Sequence, residues 1–183
     1  MKEMRQNRKT KYTQMVLKDS LMELMEEKSI SRITIKELCE KADINRTTFY
    51  AHYNDQFHLL HEIQTDVLLS VNQVVGSLHS TMDKNSIVQI IQEFLQYIAD
   101  DNSHIQILLS ERGDIDFQKE LFTMIYRQCE IMASATPSST TEFYSVFVHN
   151  GSVGLIQHWI KSGLTKSANE LAEIIFNMAA LIK

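Results

Sequence analysis

The chain has 183 residues, of which 44% are hydrophobic and 22% charged, and a formal net charge of −5; this composition excludes a disordered chain. One Pro and five Gly, among abundant Leu, Ile, Met, Glu, Gln and Lys, exclude a turn-rich β architecture and predict long helices. No stretch approaches the roughly 18 apolar residues of a transmembrane helix, and the basic N-terminus lacks a secretory apolar core, so the expectation is a soluble, cytoplasmic, all-α protein of about nine helices.

Charge is uneven along the chain. Residues 1–53 carry eleven Lys/Arg against eight Asp/Glu, a net of +3, while residues 54–183 carry seven against fifteen, a net of −8. A basic arm over residues 1–11 holds Lys2, Arg5, Arg8, Lys9 and Lys11 against Glu3 alone. Such an arm suits neutralisation of phosphates, with Lys9 and Lys11 as candidate backbone contacts. A solvated tail would carry the same charges.

After the arm, residues 11–28 place Leu17, Leu21, Leu24 and Met25 on one helical face. Ser29 to Arg32 breaks that pattern. Thr34-Ile35-Lys36-Glu37 then forms a capping box, with Ile33 and Leu38 at the positions of a hydrophobic staple. The helix it opens buries Ile35 and Leu38 and ends near Ala42-Asp43. Asp43 tolerates the left-handed conformation that a tight turn needs. A second start follows at Asn45, with Ile44 and Phe49 as its staple. Two short helices joined by about four residues match a helix-turn-helix.

In that motif the N-terminal end of the second helix meets base edges in the major groove. Here it presents Asn45, Arg46, Thr47 and Thr48. Arg pairs with guanine, Asn with adenine, and the Thr methyl packs on the thymine methyl. Tyr50 and Thr34 stand within reach of phosphates. A capped corner in an ordinary helical bundle would show the same local signals.

The segment ITIKELCEKADINRTTFYAHYNDQFHLL (residues 33–60) resembles the DNA-binding region of the tetracycline-repressor (TetR) family of bacterial transcription regulators. Thr34 opening a helix, the Ala42-Asp43-Ile44 turn, the polar run Asn45 to Thr48, Tyr50 and Tyr53 carry the resemblance. It implies DNA contacts from Thr34, Asn45, Arg46, Thr47, Thr48, Tyr50 and His52. The chain departs from the family pattern at Ser29, Asp43, Thr47 and Gln56, where the family usually has Gly, Gly, a small residue and Lys.

Beyond residue 53 the pattern is that of a helical body. A helix is expected from Asn54 or Asp55 to about Ser80, and another from Ser86 with a stripe of Ile87, Ile90, Ile91, Phe94, Leu95 and Ile98. A short helix over residues 103–110 closes at Glu111-Arg112-Gly113, and one over 115–133 carries Leu121, Ile125, Cys129 and Met132. Ser134 to Thr141, with Pro137, reads as a loop. Helices over 142–162 and 167–182 follow, the last opened by a second capping box, Ser167 to Glu170.

Within residues 142–162, Phe143, Phe147, Gly151, Gly154 and His158 share one face, and Tyr144, Val148, Leu155 and Trp159 a neighbouring one. A helix-interior Gly costs about 1 kcal/mol relative to Ala; close approach of another helix backbone would offset it. That helix belongs either to the same subunit or to a second copy. The resemblance implies the second, since TetR-like proteins pair their last two helices with those of a partner subunit. The dimer residues it implies are Gly151, Gly154, Leu155, His158, Trp159, Leu171, Ile174, Ile175 and Met178. It also implies a small-molecule effector in the helical body, for which Phe94, Tyr97, Phe117, Tyr126, Phe143 and Phe147 are the candidate lining; the same aromatic spacing also suits plain core.

Seven histidines and two cysteines form no metal-ligand spacing, and Cys39 and Cys129 form no CxxC pair, so no metal and buried free thiols are expected. No phosphate-binding loop or nucleophile motif is present, and the reading requires neither an enzyme nor a cofactor. The expected organisation is a helix-turn-helix domain over 1–53 and a dimerisation and effector domain over 54–183. The expected function is a homodimeric, ligand-responsive repressor on pseudo-palindromic double-stranded DNA. The alternative is a TetR-like coregulator that acts through a protein partner with little DNA binding.

Overall fold

The computed structural model describes residues 2–76, 84–100, 103–128 and 139–181. Among them are nine α-helices, one 3-10 turn (Ile30–Arg32) and no strand. The chain divides into two compact units, Met1–Val67 and Leu68–Lys183. This division falls inside a helix, fourteen residues after the expected boundary at residue 53.

The first unit contains α1 (Lys2–Glu27), α2 (Ile35–Lys41), α3 (Arg46–Tyr50) and the first half of α4 (Gln56–Gly76). Its core is Leu17, Leu21, Met22 and Met25 from α1, Ile33, Leu38, Phe49 and Tyr53 around the turn, and Leu59, Leu60, Ile63 and Val67 from α4. The basic arm is not a separate tail: α1 is continuous from Lys2. No Gly or Pro occurs before Gly76, and the arm's Lys, Glu, Met, Arg and Gln are strong helix formers. Met22 takes the fully buried place where Leu24 was expected, and Leu24 is only half-buried.

Polar contacts tie α4 to α1. Lys18 Nζ reaches Glu62 and Asp66, each at 2.6 Å. Burial pulls the Lys18 ammonium down, but its hydrogen bonds to the two carboxylates outweigh that and leave its pKa raised. The Tyr53 hydroxyl donates to Glu62 at 3.1 Å; burial, then the Glu62 charge, push its pKa up. Asp55 caps α4, its Oδ1 accepting from the His58 amide at 2.8 Å.

The second unit contains α5 (Lys84–Ala99), α6 (Ser103–Leu108), α7 (Ile115–Gln128), α8 (Ser139–Lys161) and α9 (Ala168–Leu181). Helix α5 lies along α9 and also touches α6 and α7. It buries Ile90, Ile91, Phe94, Leu95 and Ile98 of the expected stripe, whereas Ile87 is half-buried and Val88 takes the buried place beside it. Phe94 meets Phe122 edge to face at 6.0 Å. The capping box of α9 is present: the Glu170 amide donates to Ser167 Oγ at 3.2 Å, and Glu170 Oε2 accepts from the Ser167 amide at 2.9 Å. Helix α8 starts at Ser139, so the last residues of the expected loop are helical. The rest of that loop, with Pro137, lies outside the described residues, as do Ser80, Cys129 and Met132.

The turn from α6 to α7 is tightly built. Buried Gln118 donates through Nε2 to the carbonyls of Leu108 at 2.9 Å and Ser110 at 3.0 Å. A Cβ on Gly113 would stand 1.9 Å from the Leu108 carbonyl oxygen, so only glycine fits there.

Candidate nucleic-acid interface

The turn between α2 and α3 is built from local hydrogen bonds. At the start of α2 the Glu37 amide donates to Thr34 Oγ1 at 3.2 Å, and Glu37 Oε2 accepts from the Thr34 amide at 3.0 Å. The Lys28 ammonium at 2.6 Å and the two Thr34 donors hold the Glu37 carboxyl down to about 2.

At the other end, the Ile44 amide donates to the Cys39 carbonyl at 2.9 Å and the Asp43 amide to the Glu40 carbonyl at 3.3 Å. This is a Schellman closure, and Asp43, at φ 51°, fills the left-handed position that glycine usually takes. Asn45 Oδ1 then accepts from the Thr47 amide at 2.9 Å and starts α3. The turn therefore keeps its geometry with Asp in place of Gly.

Helix α3 is oriented by one buried side chain. Phe49 is fully buried and stacks at a tilt on Tyr53, 5.8 Å away. With Phe49 inward, Asn45, Arg46, Thr47, Thr48 and Tyr50 all face solvent, and Thr34 is exposed at the head of α2. His52 follows in the turn after α3, half-buried, with its ring 6.2 Å from that of Tyr53. Lys9 and Lys11 are exposed on α1. The structure thus leaves Asn45 to Thr48 and Tyr50 exposed around a helix anchored by Phe49.

Cations of this unit fall into two groups. Lys18, Lys28 and Lys41 each hold a carboxylate at 2.6 Å. Arg8, Lys9, Lys11, Arg32 and Arg46 have no ion pair to a described carboxylate. Lys36 stands between the groups, its ammonium 3.7 Å from Glu40. Lys36, Glu40, Asp43, Asn45 and Arg46 line one shallow depression between α2 and α3, floored by Cys39 and Ile44. Burial pushes the Cys39 thiol up, which keeps it a protonated core residue. The i, i+4 spacing of Lys36 and Glu40 places them on one side of α2.

In the second unit, α8 has two opposed faces. Val148, Ser152, Ile156 and Trp159 form its buried stripe, and Trp159 Nε1 donates to the Lys166 carbonyl at 2.8 Å. The other face is apolar and open: Phe143 is 74% and Phe147 61% exposed, and Gly151, Gly154 and His158 continue it. Phe147, Gly151, Gly154 and Leu155 line a groove with Ile175 and Met178 of α9. A Cβ at Gly151 or Gly154 would meet no atom within 4 Å, so no close approach among the described residues accounts for the two glycines.

Residues expected together at a dimer face therefore divide. Gly151, Gly154, His158 and Met178 are exposed, Leu155 and Ile174 are half-buried, and Trp159, Leu171 and Ile175 belong to the core of the protomer. The expected pocket residues divide too. Phe94 and Phe117 are buried and Tyr97 half-buried, whereas Phe143 and Phe147 lie on the open face of α8. The reason is register: Phe143 and Phe147 lead the stripe that continues through Gly151 and Gly154, not the one through Val148 and Ser152. The side chain of Tyr126 lies outside the described residues. Among the described residues no group of three or more His, Cys, Asp or Glu is placed to hold a metal, and no helix is long and apolar enough to cross a membrane.

Residues 85–180 match a family model, TetR_C_8, described as a transcriptional regulator C-terminal region. An uncharacterized HTH-type transcriptional regulator of Bacillus subtilis (strain 168), YxbF, is 20% identical over 167 residues, covering 90% of this chain and 44% of that protein. One from Haemophilus influenzae is 26% identical over 91 residues, or 49% of this chain and again 44% of its relative. The chain's match thus spans less than half the length of these two relatives. Among solved structures, a TetR transcriptional regulator from Streptococcus agalactiae 2603V superposes with a TM-score of 0.73 at 17% identity, covering 97% of this chain and 98% of that one. NalD, the secondary repressor of the MexAB-OprM multidrug efflux pump in Pseudomonas aeruginosa, gives 0.68 at 19% identity, with 94% and 95% covered. Both likenesses extend the match from the C-terminal region to the whole fold.

Proposed function

This chain belongs to the TetR family of transcriptional regulators, and we propose that it is a sequence-specific DNA-binding regulator whose reading surface is the exposed side of α3. The single observation that carries this is the orientation of α3: Phe49 is buried, and Asn45, Arg46, Thr47, Thr48 and Tyr50 stand exposed around it. Arg46 has the donors for guanine, Asn45 for adenine and the Thr methyls for thymine, with Tyr50 and Thr34 toward phosphate. Lys9 and Lys11 on α1 add charge for backbone contacts, and His52 closes the set. The protein acts on DNA in the cytoplasm, needs no cofactor and carries out no catalysis.

The open apolar face of α8 and α9 supports a homodimer. Phe143, Phe147 and Met178 are exposed apolar side chains beside two helix glycines at which an added Cβ would meet none of the described residues within 4 Å. A second copy related by a two-fold axis would cover them and present two recognition helices to an inverted repeat. Repression released by a small molecule is the mode we favour, with Phe94, Tyr97 and Phe117 of the second unit as lining; NalD, a relative of the same fold, is itself a repressor. Ligand and DNA would then be coupled through the populations of two dimer geometries. The coregulator alternative is not favoured.

Selection of binding sites from random duplex DNA by the purified protein tests the reading, with Tyr50→Ala and Arg46→Ala alongside. Wild type is expected to recover an inverted repeat. Arg46→Ala should relax preference at one base pair per half-site, at about 1–3 kcal/mol. Specific binding that survives both substitutions unchanged would show that α3 is not the recognition helix.

A further inference from the structure

Lys36 is the one lysine of the α2–α3 surface whose carboxylate contact is loose. Lys28 and Lys41 hold their partners at 2.6 Å and are only 27% and 34% exposed. Lys36 and Glu40 are 64% and 65% exposed and 3.7 Å apart, one helical turn from each other. An exposed pair of this kind is weak and screened by salt. Both residues line the same depression as Asn45 and Arg46, so the cation sits at the edge of the surface assigned to DNA.

Resting on that DNA-binding reading, we infer that Glu40 competes with DNA phosphate for Lys36, and that this exchange sets how tightly the α2–α3 surface holds DNA. In the free protein the Lys36 ammonium faces Glu40. On DNA it turns to a phosphate and releases the counterion condensed there, a gain that one mobile carboxylate does not offer. Glu40 is left beside the negative backbone and opposes the complex. Lys36 is thus a DNA contact beyond those of α3, and Glu40 a brake on affinity. The brake acts on sequence-independent binding, because a phosphate contact carries no base information.

The test uses the full chain and a mixed-sequence duplex of about 30 base pairs, long enough for two half-sites one helical turn apart. Fluorescence anisotropy is read from about 50 to 200 mM salt for wild type, Lys36→Met, Glu40→Gln and the double variant. Losing one phosphate contact lowers the salt slope by about 0.9, so Lys36→Met should lose about 3.5-fold less affinity across this fourfold salt range than wild type does. Glu40→Gln should bind tighter at low salt, and its gain should shrink when Lys36 is Met. A Lys36→Met protein with wild-type affinity and slope would overturn the inference. So would a Glu40→Gln gain of the same size with and without Lys36. Arg46→Ala separates the two levels: if it weakens binding while Lys36→Met does not, only the exchange fails. If wild type binds no duplex at any salt, the DNA-binding reading fails and takes the exchange with it.

Discussion

Gly151→Ala tests the proposed dimer through the sign of two measurements. In the protomer the added Cβ meets no atom within 4 Å, so none of the described residues opposes it. Alanine in place of a helix-interior glycine then stabilises the protomer by about 1 kcal/mol. At a tightly packed two-fold interface the same methyl appears twice. Each overpacked methyl costs about 1–3 kcal/mol, so the dimer should lose about 2–6 kcal/mol, which raises its dissociation constant about 30-fold or more. Sedimentation over a concentration series reads the association, and thermal unfolding at concentrations below dissociation reads the protomer. The expected result is a weaker dimer built from a more stable protomer, and Gly154→Ala should behave alike. A dimer as tight as wild type would refute the idea that a second helix approaches this face.

Gly113→Ala should do the opposite within one chain, because its Cβ would stand 1.9 Å from the Leu108 carbonyl oxygen and force the turn off Gln118. Losing the buried Gln118 bonds costs about 1–3 kcal/mol each, or roughly 2–4 °C of melting temperature per kcal/mol for a chain of this size; an unchanged melting curve would sink the steric argument. Asn45→Ala removes the cap that bonds the Thr47 amide and should cost about 0.5–2 kcal/mol, measured by denaturant unfolding, with Asn45→Ser recovering most of it. The Glu37 carboxyl is held down to about 2 by Lys28 and Thr34, from an ordinary value of 4.5. A depressed carboxyl contributes stability that is fully present above the unfolded value and is lost as pH falls toward the folded one. The stability difference between wild type and Glu37→Gln should therefore be constant above about pH 5 and close between about pH 4.5 and 2; a difference that persists at pH 2 would mean that Glu37 acts by packing instead.

The features legible in the chain were those closed within one turn of helix. Thr34 with Glu37, Asn45 with Thr47, and Ser167 with Glu170 bond across two or three residues, so spacing alone specifies them. The same locality made the exposed side of α3 readable, since in a helix of little more than one turn burial of Phe49 leaves Asn45 to Thr48 and Tyr50 on the part open to solvent. Even Asp43 in the left-handed turn was foreseeable, because its short polar side chain tolerates that conformation.

Faces chosen between comparable apolar stripes were decided by tertiary structure. Helix α8 carries Phe143 and Phe147 on one stripe and Val148, Ile156 and Trp159 on another, and periodicity shows both equally well. Only the neighbours of the second stripe, including the Lys166 carbonyl that accepts from Trp159, make it the core and leave the aromatic stripe open. The same holds for Met22 over Leu24 in α1 and for the division of the chain inside α4. Gly113 looked like an ordinary turn glycine until the Leu108 carbonyl was placed against it. A hydrogen bond between residues three apart is a property of the segment, whereas burial is a property of what covers it. The first is therefore written in the order of residues, and the second only in the way the helices come together.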